Sequence, residues 1–164
     1  MVDTSEFATP AALDAVLRVH LEWTGGGVQS LPDEDSISPI SGGYAFVRNE
    51  QVKLEPGCCC DLSDLAQWRA AFLAGPGPTP LLVGHGTYSI ACRKGEVAIT
   101  VFSEVRDQAD VHFSCATDAF AAALAKAEQQ QTLFARLLER RLRELGAGKR
   151  STGIANCLVF GEDG

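Results

Sequence analysis

The chain has 164 residues, of which 46% are hydrophobic and 21% charged, a composition that suits one globular domain with its own core. It carries 21 acidic and 14 basic residues, and the formal charge of -7 argues against general electrostatic binding to nucleic acid or to anionic membranes. A basic protein partner fits this charge, although an acidic balance also serves solubility alone.

The first predicted element is a helix from Pro10 to about Trp23, with Thr9 as N-cap and Pro10 at the first helical position. One apolar stripe follows helical spacing: Leu13, Val16, Leu17, His20 and Leu21. His20 is therefore interpreted as a core or boundary residue. Residues 24–38, which include consecutive glycines and an acidic run, have the composition of a surface loop.

Residues 44–48 and 51–54 flank Asn49-Glu50 and predict two short strands joined by a tight turn. A helix over about 62–74 follows, because apolar residues recur every three or four positions, and Asp61 or Ser63 provides its cap. Four further strands are then predicted: 81–83, 88–93, 97–102 and 111–115.

A long helix is predicted from Thr117 or Asp118 to Leu145, where Gly146 ends it. It is longer than a domain of this size needs, so its far end is a candidate surface for a homodimer. Its polar middle, Glu128 to Gln131, predicts a kink or a projecting segment. Its basic residues are interleaved with glutamates at pairing distances, which favours a solvated face over a nucleic-acid site. These basic residues are Arg136, Arg140, Arg141 and Arg143.

Together the elements predict a single α+β domain over residues 1–164. It consists of an antiparallel sheet of about five or six strands packed with a short middle helix and a long C-terminal helix, plus an N-terminal helix. The core is expected over about 40–145, and the tail, 147–164, is expected to add an edge strand at 154–160. The first thirty residues carry no secretory signal pattern and no stretch reaches membrane-spanning length, so we expect a cytosolic protein.

Three consecutive cysteines, Cys58, Cys59 and Cys60, lie where the hairpin leads into the next helix. The other three cysteines are scattered singly, which favours reduced thiols or a site over a disulfide framework. Together with Asp61 and with His85, which stands between two glycines, the three thiols form the candidate binding site. The favoured interpretation is structural, because small thiol side chains pack well at a strand-to-helix corner.

Two chemical alternatives use the same region. Zinc could be held by Cys58 and Cys60, with His85, His112, Cys92 or Cys115 completing the set from neighbouring strands, although the chain has no C-x-x-C or H-x-x-x-H pair. A reactive thiol could lie at Cys60 with His85 as its base, although the neighbouring Asp61 would oppose a thiolate. The sequence has no phosphate loop, dinucleotide fingerprint, nucleophile elbow or HExxH motif, so we predict neither catalytic residues nor a cofactor.

The segments 42–47 and 54–62, with Trp68 and the run 83–85, resemble a group of small uncharacterised bacterial proteins with a Cys-Cys-x-Asp-Leu signature. The resemblance covers roughly residues 40 to 145 and implies no activity. Small acidic α+β proteins without a catalytic motif also resemble toxin-immunity proteins. We therefore expect a cytosolic, non-enzymatic protein-binding domain, with a Cys/His metal-binding or thiol-redox protein as the alternative.

Overall fold

A computed structural model of the chain describes residues 9–21, 31–57, 59–83, 86–103 and 108–161; the side chains at 35, 82, 86–87, 101–103 and 108–112 are not described. The helices are α1 (Pro10–His20), α2 (Asp64–Leu73), α3 (Thr117–Glu144) and α4 (Arg150–Phe160). The strands are β1 (Phe46–Arg48), β2 (Gln51–Leu54), β3 (Thr79–Val83), β4 (Gly86–Arg93), β5 (Glu96–Ser103) and β6 (Gln108–Ala116). The predicted α+β class with a long C-terminal helix is confirmed.

The chain divides into two compact units. One, called the sheet unit below, is Ser41–Glu128 together with Met1. The other, the helical unit, is Val2–Ile40 with Gln129–Gly164, so α3 contributes to both. The expectation of one domain, which was drawn from chain length, stays a prediction.

The described strands of the sheet unit form two antiparallel sheets. The first is the β1–β2 hairpin, and the second is a four-stranded meander in the order β3-β4-β5-β6. The strand total of six agrees with the sequence, but the expectation of a single sheet is wrong. The described hairpin strands pair with each other and not with the meander, and this outcome depends on tertiary packing, since strands joined through a helix such as α2 can still share a sheet.

Both tight hairpins use residues with left-handed backbone conformations. Asn49 and Glu50 have φ values of 51° and 62°, and the β4–β5 turn has 50° at Lys94 and 81° at Gly95. Two consecutive positive φ values match the right-handed twist of the flanking strands, as in a type I′ turn. The predicted turn at Asn49-Glu50 is confirmed, and the β4–β5 turn lies between the predicted strands 88–93 and 97–102.

The core of the sheet unit lies on one face of the meander. Alternate residues along β4 and β5, such as Ile90, Val97 and Ile99, are fully buried there. Phe46 from the hairpin joins them, with its ring centroid 4.7 Å from that of Trp68 in α2 and 5.3 Å from that of Phe120 in α3. Aromatic rings at these separations contribute dispersion and quadrupole attraction beyond simple burial. The β1–β2 hairpin, the meander, α2 and the first part of α3 therefore share one core.

The helical unit begins with α1, whose predicted cap is confirmed. The Thr9 hydroxyl accepts a hydrogen bond from the Ala12 amide at 3.3 Å, and Pro10 occupies the first turn. The helix ends at His20, and residues 22–30, where its predicted end and the following loop fall, lie outside the described residues. His20 is half-buried, and burial lowers its pKa.

Helix α3 contains the polar run 128–131 without interruption, over about 42 Å at 1.5 Å per residue. Gln131 is buried, and its Nε2 donates to the Val159 carbonyl of α4 at 2.9 Å. The helix ends in a Schellman motif, because the Ala147 amide bonds to the Leu142 carbonyl and Gly146 has a φ of 94°. The predicted stop at Gly146 is confirmed.

The edge strand predicted at 154–160 is wrong, because this segment belongs to helix α4. Ile154, Ala155, Leu158 and Val159 are all buried, a spacing of one, three and one residues that places them on one helical face. Among the described residues, no helix is both long enough and apolar enough to cross a membrane.

Candidate functional site: the cysteine corner

The segment 56–64, here called the cysteine corner, connects β2 to α2 in the sheet unit. Residues 41–42, which precede the hairpin in the chain, pair with this corner through backbone bonds. Ser41 pairs with Asp61 in an antiparallel bridge, and the Gly42 amide donates to the Cys60 carbonyl at 2.9 Å. Backbone hydrogen bonds therefore hold the corner in position, and the side-chain bonds described below add to them.

Cys60 is the buried member of the thiol group, with 5% of its surface exposed, and it belongs to the core of the sheet unit. Its amide donates to the Gly57 carbonyl at 3.2 Å, and its Sγ accepts a hydrogen bond from the Gly57 amide, also at 3.2 Å. The thiol in turn donates to the Asp64 carboxylate. A sulfur with donor and acceptor both in use is typical of a packed structural cysteine.

Gly43 explains how the chain can pass so close to the corner. A Cβ at this position would lie 3.0 Å from the Cβ of Pro56 and 3.2 Å from the Cβ of Cys60, and its φ is 127°. Both the space and the backbone conformation favour glycine over any larger residue. The sequence alone assigned no structural role to Gly43.

Asp61 and Asp64 form a capping box at the start of α2. The Asp61 carboxylate accepts the Ser63 amide at 2.8 Å, and the Asp64 carboxylate accepts the Asp61 amide at 3.1 Å. The Ser63 hydroxyl also donates to Asp61, at 2.5 Å, and Ser63 itself makes no side-chain cap bond. Of the two predicted caps, Asp61 is therefore the one in use.

Burial raises the pKa of the Asp64 carboxyl above its ordinary value. The hydrogen bonds from the Asp61 amide and the Cys60 thiol oppose this rise, whereas the negative charge of Asp61 adds to it. Sequence analysis did not assign a role to Asp64. Its signal was present in the spacing Asp-x-x-Asp ahead of an apolar helical run.

The other predicted site residues are distributed differently. Cys59 is next to Cys60 but exposed. Cys58 and His85 lie outside the described residues. His112 lies on β6 at a bulge, where the pairing passes from Phe113 with Ile99 to Val111 with Thr100; its side chain is not described.

Two single cysteines face the core of the sheet unit from the meander. Cys92 and Cys115 lie on either side of Val97 on neighbouring strands, which separates their Cα atoms by about 10 Å. That distance is beyond the reach of a disulfide. Burial raises the pKa of both thiols, and the Cys92 Sγ donates to the Phe72 carbonyl at 3.7 Å. Both thus behave as small core side chains.

No group of three or more His, Cys, Asp or Glu side chains that could hold a metal ion occurs among the described residues. The predicted zinc set includes Cys58, His85 and His112, whose side chains fall outside that description, so zinc binding stays a prediction. Comparison with protein-family models, with curated proteins and with solved structures found no match. The resemblance to the Cys-Cys-x-Asp-Leu group likewise stays a prediction.

Proposed function

We propose that the protein is a non-enzymatic, cytosolic protein-binding domain, similar in kind to toxin-immunity proteins, whose acidic charge meets a basic protein partner. The supporting observation is the distribution of charge along the chain. The chain carries 21 acidic and 14 basic residues. The acidic residues cluster in sequence, since 33–35 and 104–110 carry three acidic residues each and only one basic residue, Arg106.

The sequence therefore has a local excess of acidic residues at 1–8, 33–35, 104–110 and 162–164. Four of the described acidic residues are in ion pairs: Asp14, Glu128, Glu139 and Glu144. An excess of charge of one sign attracts an oppositely charged partner, and it makes capture sensitive to salt.

The test is capture of partners from cell extract on the immobilised protein, followed by stepwise elution with sodium chloride. We expect a discrete basic protein that elutes as the salt concentration rises. The triple variant Glu104→Gln, Asp107→Asn, Asp110→Asn should release it at lower salt. The matched variant Glu50→Gln, Glu55→Gln, Glu96→Gln removes the same charge from described, exposed positions and should leave the elution unchanged.

Failure to capture a specific protein at any salt concentration would remove the main support for this function. Equal effects of the two triple variants would show that only net charge matters, which would contradict a defined acidic binding region.

A thiol or metal function is the second candidate, favoured by the exposed Cys59 thiol beside the cysteine corner. Native and denatured mass spectra of protein purified without chelator or reductant test it directly. A zinc-sized adduct, or the loss of two protons mapped to residues 58–60, would support this second function over the first. An unmodified mass with free thiols would leave the cysteines structural. The native spectrum also counts subunits and so tests the homodimer expected through α3.

A further inference from the structure

Helix α3 carries a basic stripe on its exposed side within the helical unit. The stripe consists of Gln129, Leu133, Arg136, Arg140 and Arg143, all exposed. Their spacing of four, three, four and three residues places them within a sector of about 80° around the helix axis. The residues that α3 buries in this unit lie on the opposite side: Gln131, Phe134, Ala135, Leu138 and Leu142. The stripe therefore faces away from the core of its own unit.

The acidic side chains nearest to the stripe are already bonded elsewhere. Glu139 accepts hydrogen bonds from Arg143 and from Thr152. Glu144 lies four residues from Arg140, a favourable pairing distance, yet it accepts from Arg141. Among the described residues, Arg136 and Arg140 form no ion pair and no side-chain hydrogen bond. Within the described part of the chain, these two guanidinium groups on adjacent turns therefore bond to no carboxylate.

An ordinary solvated helix face alternates positive and negative residues at spacings of three and four. The stripe departs from that pattern, since arginines occupy three of its five positions and Leu133, with 48% of its surface exposed, occupies a fourth. The chain as a whole carries a charge of -7, so the basic character is local to this surface. The combination of arginines and one exposed leucine favours a surface that binds a partner over a helix face that contacts only solvent.

The overall charge also decides which anionic partner fits. A long nucleic acid or an anionic membrane would extend beyond the stripe and meet the negative charge of the rest of the chain. A short acidic segment contacts only the stripe. The planar guanidinium groups of Arg136 and Arg140 can each bind a carboxylate through two parallel hydrogen bonds.

We infer that the basic stripe of α3 binds a short acidic, amphipathic helix of a partner protein. Arg136 and Arg140 hold two carboxylates of that helix, and Leu133, one turn before Arg136, packs against an apolar side chain one turn beyond those carboxylates. Binding at the stripe does not depend on the basic partner proposed above.

A synthetic helical peptide that carries two glutamates four residues apart and a leucine one turn beyond them on the same face tests this inference, with fluorescence anisotropy as the measurement. The full chain should bind it with an affinity that falls as salt is added. The double variant Arg136→Gln, Arg140→Gln should weaken binding about tenfold. The variant Arg93→Gln, Lys94→Gln removes the same charge from an exposed turn of the sheet unit and should bind as the natural chain does.

Leu133→Ala should weaken binding of the same peptide by a factor that does not depend on salt concentration. Leu73→Ala, at an exposed position of α2, should leave the affinity unchanged. Circular dichroism checks that every variant keeps its helix content. Equal losses from the two charge variants would overturn the inference, because the binding would then reflect net charge alone. It would also be overturned if the peptide did not bind, or if duplex DNA or anionic vesicles bound as well as the peptide.

Discussion

The sheet unit and the helical unit are stabilised in different ways. The sheet unit buries rings and branched side chains against one face of a four-stranded meander, and its long-range contacts are mainly apolar. The helical unit also has an apolar core, and some of its polar bonds join segments farther apart in sequence than those of the sheet unit, where Arg48 donates to the Ser114 carbonyl across 66 positions. Arg141 binds Asp14 across 127 positions, and Arg150 donates to the Pro32 carbonyl across 118.

The sequence shows why the helical unit can use charge in this way. Its first segment, residues 2–40, has seven acidic residues and one basic residue, whereas residues 129–164 have six basic and four acidic residues. Segments of opposite charge attract before their side chains are fixed in place. The stability of the sheet unit should therefore be sensitive to truncation of core side chains, whereas the stability of the helical unit should also depend on pH and salt.

The largest expected effect comes from the core of the sheet unit. Trp68→Ala removes a side chain that is almost fully buried and contacts Phe46, so unfolding should become about 3–5 kcal/mol easier. Urea unfolding followed by circular dichroism measures the change. Leu73→Ala on the same helix removes an exposed side chain and should alter stability by less than about 0.5 kcal/mol. A similar loss for both variants would contradict a core organised around Trp68.

A smaller effect is expected at the cysteine corner. Cys60→Ser places a hydroxyl in an apolar core and disturbs the bond from the Gly57 amide, which should cost about 1–2 kcal/mol. The exposed Cys59 should tolerate serine within about 0.5 kcal/mol. In the folded natural chain, an alkylating reagent should label Cys59 before Cys60. Rapid labelling of Cys60 would show that the corner opens and that the thiol is accessible.

The helical unit should respond to pH through Asp14. The hydrogen bonds from Arg141 hold the pKa of this carboxyl below its ordinary value of 3.8, and the charge of Arg18 adds to the effect. A lowered native pKa means that the stabilisation is complete above the ordinary value and disappears as the pH falls through the native one. Asp14→Asn should therefore cost about 1 kcal/mol at pH 7, and its difference from the natural chain should shrink in acid.

The matched variant for this test is Asp33→Asn, an exposed aspartate of the same unit that makes no side-chain cap bond. It should show little cost at any pH. If Asp14→Asn and the natural chain kept the same difference in stability down to strong acid, the ion pair could not be the source of that difference.

The smallest effect, and a stabilising one, is expected in the β1–β2 turn. Glu50 adopts a φ of 62°, whereas the equivalent position of the β4–β5 turn is already glycine, Gly95. Glu50→Gly should relieve this strain and stabilise the chain by a few tenths of a kcal/mol, since glycine also loses more entropy on folding. A shift of the urea midpoint measures it, and a destabilised variant would show that the Glu50 side chain makes a contact that outweighs the strain.

Local chemistry made much of this fold predictable. The turn at Asn49-Glu50, the cap at Thr9 and the stop at Gly146 each depend on a few neighbouring residues. The error at 154–160 arose because Ile154 and Val159 favour strands, while the helical spacing of the buried residues from Ser151 onward was given less weight. The separation of hairpin and meander depends on tertiary packing, which no local pattern reports.

The candidate site was predictable only in part. Burial of Cys60 agrees with the structural interpretation of a strand-to-helix corner, and Asp61 was named as a cap. The roles of Gly43 and Asp64 depend on distances between segments, which the sequence does not contain. Ion pairing at Arg141 and Arg143 was expected, but Glu144 pairs with Arg141 and not with Arg140, which has no ion pair among the described residues; no spacing rule could have shown this.

One close contact in the helical unit couples two distant positions. The carboxylate of Glu34, in the short turn Glu34–Ser36, occupies the space where a Cβ on Gly153 of α4 would lie. A larger residue at 153 and a long acidic residue at 34 therefore compete for the same volume. Any related sequence with this arrangement is expected to change the two positions together, with a shorter side chain at 34 wherever 153 is not glycine, and that covariation would identify the contact without a structure.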